Sequence, residues 1–185
     1  MNKIVTSKEE ILKVSRALIK EERWQAINIR TVANKGNISV GSVYNYFESK
    51  GDLVSSTIES IWIEIFQLHA HGQKFDSFLD AIDYVSKAFI RGSELYPSFF
   101  TLHAMSFSPA DKEGAKINMA KAQQHMKQNL LKVLKKDSAV KANAFNDVLT
   151  QEALVDIVFS NIFFSALQGN FDFSALREMV KQLIY

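Results

Sequence analysis

The sequence predicts an all-α protein, and three observations carry that expectation. Only two prolines and seven glycines interrupt 185 residues. Between those breaks apolar residues recur every three or four positions, the period of a helix face, and not every second position as in a strand. Several segments also open on a Ser, Thr, Asp or Asn that can accept from the backbone donors of a first helical turn. There are no repeats, low-complexity tracts or long linkers.

In chain order, Ser7-Lys8-Glu9-Glu10 reads as a capping box opening a first helix that buries Ile11, Leu12, Ser15, Leu18 and Ile19. Asn28 caps a short second helix with Ile29, Val32 and Ala33 inward. Gly36-Asn37 breaks the chain where a left-handed backbone costs least. Ser39 then caps a third helix running to about Phe47, with Val43 and Phe47 inward at i and i+4 and the small or polar Gly41, Ser42 and Asn45 outward. Two short helices joined by a tight turn, the second with small residues outward, form a helix-turn-helix. A fourth helix opens at Ser49 with Asp52 in its first turn and runs through Leu53, Ile58, Ile61, Trp62, Ile65, Phe66 and Leu68 to Gly72.

A fifth helix spans about Asp76 to Tyr96, with Phe78, Ile82, Val85, Phe89 and Ile90 apolar. Pro97 starts a short aromatic one from Ser98 to Met105, which ends before Ser108-Pro109. A long lysine-rich helix follows, in which Ala115, Met119, Ala122, Met126, Leu130 and Val133 recur at helical spacing. Residues 135–138 are polar, the stretch around residues 143–146 is ambiguous, and Thr150 opens a helix that is apolar nearly all round and ends at Gln168-Gly169-Asn170. A last amphipathic helix sets Phe173, Leu176, Met179, Val180, Leu183 and Ile184 on one side.

Composition excludes several classes. The chain has 47% hydrophobic and 23% charged residues, the balance of a soluble globular protein. With no cysteine there is no disulfide, thiolate catalysis or cysteine-ligated metal. No signal peptide and no apolar run of ~18 residues is present, so a cytoplasmic protein without a membrane span is expected. Net charge is only +2, but residues 1–53 carry nine bases against six acids while the remainder carries thirteen against fourteen. A basic end on a neutral body suits contact with a phosphate backbone.

Residues from about Ile11 to Leu53 resemble the N-terminal DNA-binding domain of the TetR family of transcriptional regulators. The pattern runs through Leu18-Ile19, Val32-Ala33, Ile38-Ser39, Gly41, Tyr44, Tyr46-Phe47, Ser49-Lys50 and Leu53. Two positions depart from it: Arg23 ends the first helix and Asn37 lies in the turn, where the family usually has Gly. The resemblance implies a helix-turn-helix domain over residues 1–48 fused to a larger helical ligand-binding and dimerisation domain over residues 49–185. It also implies a homodimer on a palindromic double-stranded DNA operator, acting most often as a repressor.

Candidate DNA-contacting residues follow from chemistry and resemblance together. Tyr44, Tyr46 and Lys50 are placed on phosphates, the tyrosines as hydroxyl donors and Lys50 as a charge at a helix N-terminus. Asn28 is either a cap or a phosphate contact. Base reading falls to Ser39, Val40, Gly41, Ser42 and Asn45, with Val40 suited to a thymine methyl.

Thirteen of the fourteen phenylalanines follow residue 53. Most must be core, but Trp62, Phe66, Phe89, Phe99, Phe100, His103, Phe159 and Phe163 are candidates for a pocket taking a small apolar or aromatic effector. One core can cover only part of the Thr150 helix, so Leu154, Val158, Ile162 and Phe164, with Leu176, Val180 and Leu183 of the last helix, are candidates for a four-helix dimer interface. No cofactor is expected. His69 and His71 point to different faces of a helix, and no metal-binding or catalytic spacing accompanies any histidine, so neither a metal site nor an enzyme is expected. The alternatives are a DNA-binding protein controlled by a protein partner, and an apolar-ligand carrier without DNA binding, against which Tyr44, Tyr46 and Lys50 argue.

Overall fold

The structure is a computed structural model that describes residues 6–22, 27–66, 74–97, 99–102 and 112–185. Among the described residues there are nine helices and no strands: α1 Lys8–Glu22, α2 Ile29–Lys35, α3 Val40–Tyr44, α4 Lys50–Phe66, α5 Phe78–Leu95, α6 Phe99–Leu102, α7 Lys112–Lys136, α8 Gln151–Leu167 and α9 Ser174–Ile184. The fold is all-α, an N-terminal helix-turn-helix formed by α1 to α3 on a larger helical domain.

The N-terminal domain folds as its caps dictate. Ser7 and Glu10 close a reciprocal capping box at 3.2 Å each way. Ile11, Leu12, Ser15, Leu18 and Ile19 are all buried, with the Ser15 hydroxyl donating to the Ile11 carbonyl. The Asn28 side chain accepts from the Thr31 N–H at 2.9 Å, and Ile29, Val32 and Ala33 bury. In the turn the left-handed residue is Asn37, with φ 51°, while Gly36 is right-handed. Gly36 is there for space: a Cβ would come within 3.2 Å of the Val32 carbonyl oxygen.

The reading helix α3 ends at Tyr44, shorter than the expected run to Phe47, and turns carry the chain onward. Phe47 still reaches the core, because its N–H bonds to the Val43 carbonyl, and both residues are fully buried. Burying two such side chains contributes roughly 1.5–3 kcal/mol each, enough to hold a five-residue helix that is too short to be stable alone.

α4 begins with a box of related form: Asp52 N–H donates to Ser49 Oγ at 3.0 Å, and the Asp52 carboxylate accepts from the N–H of the residue before Ser49, Glu48, at 2.9 Å. It packs on α1, α5 and α7, and so ties the two domains together. Leu68 and Gly72, expected on this helix, lie outside the described residues. In α5 the buried line runs Phe78, Ile82, Val85, Phe89 and Gly92; Ile90, expected with it, is about 100° round the helix and is exposed. In α7 the buried line is Met126, Leu130 and Leu134, with Val133 only partly covered.

Residues 137–149 form turns, among them an Asn146 side chain that accepts from the Val148 and Leu149 N–H groups. Thr150 caps α8 through the Ala153 N–H, and Gly169, at φ 75°, ends it. α9 lies against α5, held by the Arg177–Asp83 ion pair at 2.7 Å. Tyr185 and the Phe78 N–H both donate to Asp137, joining the end of α7 to the start of α5 and the end of α9. Burial and that hydrogen bond push the Tyr185 phenol up to about 12.

Candidate nucleic-acid interface

α3 presents one covered and one open side. Val43 is fully buried beneath it, whereas Val40, Gly41, Tyr44 and Asn45 are exposed. Tyr44 is 54% exposed, far more than a core tyrosine permits, so its hydroxyl lies where a phosphate can reach it. Ser39 is occupied within the helix start, where its Oγ accepts from the Ser42 N–H at 3.0 Å and lies 2.8 Å from Ser42 Oγ. Only one of the two hydroxyl protons is used in that pair, so one serine hydroxyl can still donate to a base, beside the Val40 methyls, the Gly41 backbone and the Asn45 amide.

The other expected phosphate contacts differ from one another. Lys50 is the first residue of α4 and is exposed, so its charge adds to the positive end of a 17-residue helix. Tyr46 is partly committed: its hydroxyl donates to the Thr6 carbonyl at 2.7 Å and pins the chain before α1. A phosphate oxygen needs a donor, so Tyr46 reaches DNA only by giving up that bond. Asn28 is the α2 cap and half-buried. Lys8, which sequence reasoning did not single out, covers the Phe47 ring at 5.3 Å.

In the larger domain the aromatic candidates converge. Trp62 has Phe66, Phe89, Phe99, Phe100 and Phe163 at centroid distances of 5.5–6.2 Å, and Phe159 stacks on Phe163 at 6.0 Å. Except for the half-buried Phe163, these rings are buried. They fill the space by packing edge and face against one another, so a molecule entering among them has to displace rings. Gly92 is part of this fit: a Cβ there would lie 2.8 Å from Ile65 Cδ1 and 2.9 Å from Phe100 Cζ. His103 lies outside the described residues, as do Arg23, His69 and His71.

The stripe expected for dimerisation divides in two. Leu154, Val158, Ile162, Leu176 and Val180 are buried in the chain's own core, each under 9% exposed. They complete the packing of α8 on α7 and α6 and of α9 on α5, and so are not available to a second chain. Phe164 and Leu183 are exposed, as are Ile157 and Met179, which belong to the same apolar helices but not to the expected dimer stripe; Phe164 is 62% exposed. Ile157, Asn161 and Phe164 share the outer face of α8, and Met179 and Leu183 lie one turn apart on α9.

A polar network joins the two domains, and no sequence motif announces it. Glu64 of α4 accepts from Lys20 Nζ at 2.7 Å and from the Tyr96 hydroxyl at 2.7 Å, and pairs with Arg16 Nε at 3.0 Å. Burial would raise the Glu64 carboxyl, but the hydrogen bonds from Lys20 and Tyr96 and the charges of Lys20 and Arg16 outweigh it and hold it below its ordinary value. Burial first, and then Glu64, push the Tyr96 phenol up. A groove of about 400 Å³ between α1 and α4 is lined partly by Arg16 and Glu64. The one available signal was Glu64 itself, an acid set in the apolar run Ile61 to Phe66.

Among the described residues no group of acidic, histidine or cysteine side chains is arranged to hold a metal, and no helix is long and apolar enough to cross a membrane. Residues 11–57 match the family model for bacterial regulatory proteins of the tetR family. The N-terminal domain is of the TetR family. The larger domain completes the TetR-like fold seen in solved structures. The multidrug-binding protein EbrR, complexed with imidazole, superposes with a TM-score of 0.64 at 18% identity, over 98% of this chain and 96% of its own. FadR from Bacillus subtilis, in complex with stearoyl-CoA, does so with a TM-score of 0.64 at 14% identity, over 96% and 97%. BioQ, bound to its natural double-stranded DNA operator, does so with a TM-score of 0.60 at 13% identity, over 97% and 98%. At these identities the likeness is one of fold. No curated protein matches the chain.

Proposed function

We propose that this TetR-like chain is a one-component transcriptional repressor that binds a roughly palindromic operator as a homodimer and is released by a small apolar or aromatic effector. It acts by binding, not catalysis, with a reading head over residues 1–48 and a body over residues 49–185. The observation that carries the reading is α3, a capped five-residue helix whose inner side is Val43 and whose outer side is exposed, small or polar. An exposed face of small and polar groups on so short a helix leaves room for close approach to base edges.

Three further features support it. Tyr44 and Lys50 flank the open face with a donor and a charge. The exposed Ile157, Phe164, Met179 and Leu183 give α8 and α9 an apolar surface for a second copy, in place of the buried residues of the same helices. The aromatic cluster between α4, α5, α6 and α8 offers apolar surroundings for an effector, and structural neighbours include proteins crystallised with imidazole and with stearoyl-CoA.

The test is selection of bound DNA from a random library with the full chain. A recovered palindrome whose preferred bases change on substitution of Asn45 or Val40, but not of Lys50, supports the assignment of reading and positioning residues. Recovery of no preferred sequence defeats the repressor reading. An unchanged preference in both reading-face variants places recognition elsewhere.

A further inference from the structure

At the Tyr96 corner one residue touches both the aromatic cluster and the N-terminal domain. Its ring is fully buried and lies 6.1 Å from that of Phe99, which in turn lies 5.5 Å from Trp62 and 5.3 Å from Phe100. Its carbonyl accepts from the Phe99 N–H at 3.0 Å, so the start of α6 and the end of α5 move together at this point. Its hydroxyl donates to Glu64, and Lys20 Nζ sits 4.7 Å over its ring. Glu64 also holds Arg16 and Lys20, which are one turn apart on α1.

We infer that Tyr96 and Glu64, with Arg16 and Lys20, form a latch that transmits displacement of the α6 aromatic rings to α1, and through it to the reading helix. This rests on the proposed function and names how its aromatic cluster controls its DNA-binding domain. The physical argument has two steps. Displacing Phe99 or Phe100 pulls the Tyr96 corner through the Phe99–Tyr96 backbone bond and ring contact. That motion withdraws the Tyr96 hydroxyl from Glu64, whose carboxylate then re-pairs with Arg16 and Lys20 in a new geometry. On this side the surface between the two helices opens into the groove of about 400 Å³, so Glu64 with Arg16 and Lys20 adds directional contacts to the packing of α1 on α4. α1 packs on α2, and Lys35 of α2 is paired with Glu21 of α1, so a shift of α1 carries the helix-turn-helix with it.

The experiment needs no effector, because Gly92 provides an internal wedge. Gly92→Ala sets a methyl 2.9 Å from Phe100 Cζ and 2.8 Å from Ile65 Cδ1 and forces them to move. Operator affinity is measured by fluorescence anisotropy on the DNA selected by the full-length wild-type chain, for Gly92→Ala, Tyr96→Phe and the double variant, each checked by circular dichroism. The expected result is that Gly92→Ala weakens operator binding about tenfold in the wild-type background, and less than about threefold in Tyr96→Phe, in line with ordinary coupling between sites. An equal loss in both backgrounds means that the wedge acts through Ile65 on α4 directly, and overturns the latch; so does no loss in the wild-type background. A Tyr96 whose role is only structural lowers stability and leaves the effect of Gly92→Ala intact.

Glu64→Gln, which keeps the shape and removes the charge, is expected to uncouple Gly92→Ala in the same way, and retention of the full effect in it also overturns the latch. Should Gly92→Ala not fold, Phe100→Trp crowds the same contact and the cycle is repeated with it. Failure of the proposed function reads differently: the wild-type chain then selects no operator at all.

Discussion

Replacing Lys50 by alanine isolates the electrostatic part of DNA binding. Lys50 is exposed at the first position of α4, outside the Ser49–Asp52 capping box that holds the helix start, so its removal leaves the fold alone. If each Lys50 of a dimer neutralises one phosphate, the variant loses two contacts, and the slope of log affinity against log salt becomes shallower by about 1.8. Between about 50 and 200 mM salt that difference amounts to a factor of about 12. The wild-type advantage over Lys50→Ala is therefore largest at low salt and shrinks about twelvefold across that range. Fluorescence anisotropy over a series of potassium chloride concentrations measures it, with Tyr44→Phe as the contrasting case. Losing a neutral donor weakens binding at every salt concentration and leaves the slope unchanged. A Lys50→Ala slope equal to wild type removes Lys50 from the interface, and an altered base preference in that variant refutes the division into positioning and reading residues.

Phe164→Glu, on the exposed face of α8, is expected to yield a folded monomer in sedimentation velocity. Its affinity for a palindrome should fall about a hundredfold or more, since the two heads no longer bind as a linked pair; a folded monomer that keeps wild-type affinity contradicts this. Asn37→Val places a β-branched residue at φ 51°, which should cost about 1–2 kcal/mol and lower the thermal midpoint by about 2–8 °C. Asn37→Gly should be neutral or stabilising, and equal midpoints for the two variants would show that the turn imposes no such strain. The Glu64 carboxyl is held below its ordinary value of 4.5 in the folded chain. Its contribution to stability is thus complete above that value and is lost as the pH falls through the lower folded value. Thermal midpoints of wild type should fall more steeply on acidification below about pH 4.5 than those of Glu64→Gln; parallel curves would rule out the Glu64 contribution.

Local chemistry made many of the helix starts legible. Ser7, Asn28, Ser39, Ser49 and Thr150 each declare a helix start by accepting from a nearby N–H, and each does so in the structure. Asn37 declares its turn by tolerating positive φ. The aromatic residues were found as a set because large rings late in the chain have few places to go, but their mutual packing depends on distances no sequence pattern carries. α8 shows why the buried and exposed sides of an apolar helix were not told apart. A helix apolar all round gives no sign of which side faces its own core, so Leu154, Val158 and Ile162 read as well as Ile157 and Phe164. The latch stayed hidden for another reason: its residues come from three separate segments, Lys20 lying 44 positions from Glu64 and Glu64 lying 32 from Tyr96, and no period links them.

The placement of α4 ties these features into one mechanical argument. At 1.5 Å per residue its 17 residues span about 25 Å, from Lys50 beside the reading helix to Trp62 and Phe66 in the aromatic cluster. A stiff helix gripped at both ends responds to a push at one end by pivoting. Its own N-terminal box, Ser49 and Asp52, fixes only the local turn and not the helix axis. What fixes the axis relative to the head is α1, through its packing on α4 and through Glu64 with Arg16 and Lys20 on the open side. The packing resists separation but permits small sliding, whereas the ion pairs are directional and define a register. Displacing rings near Trp62 therefore changes head position chiefly to the extent that it disturbs that register, and Glu64, placed two residues from Trp62 and bonded to Tyr96, is where the disturbance arrives.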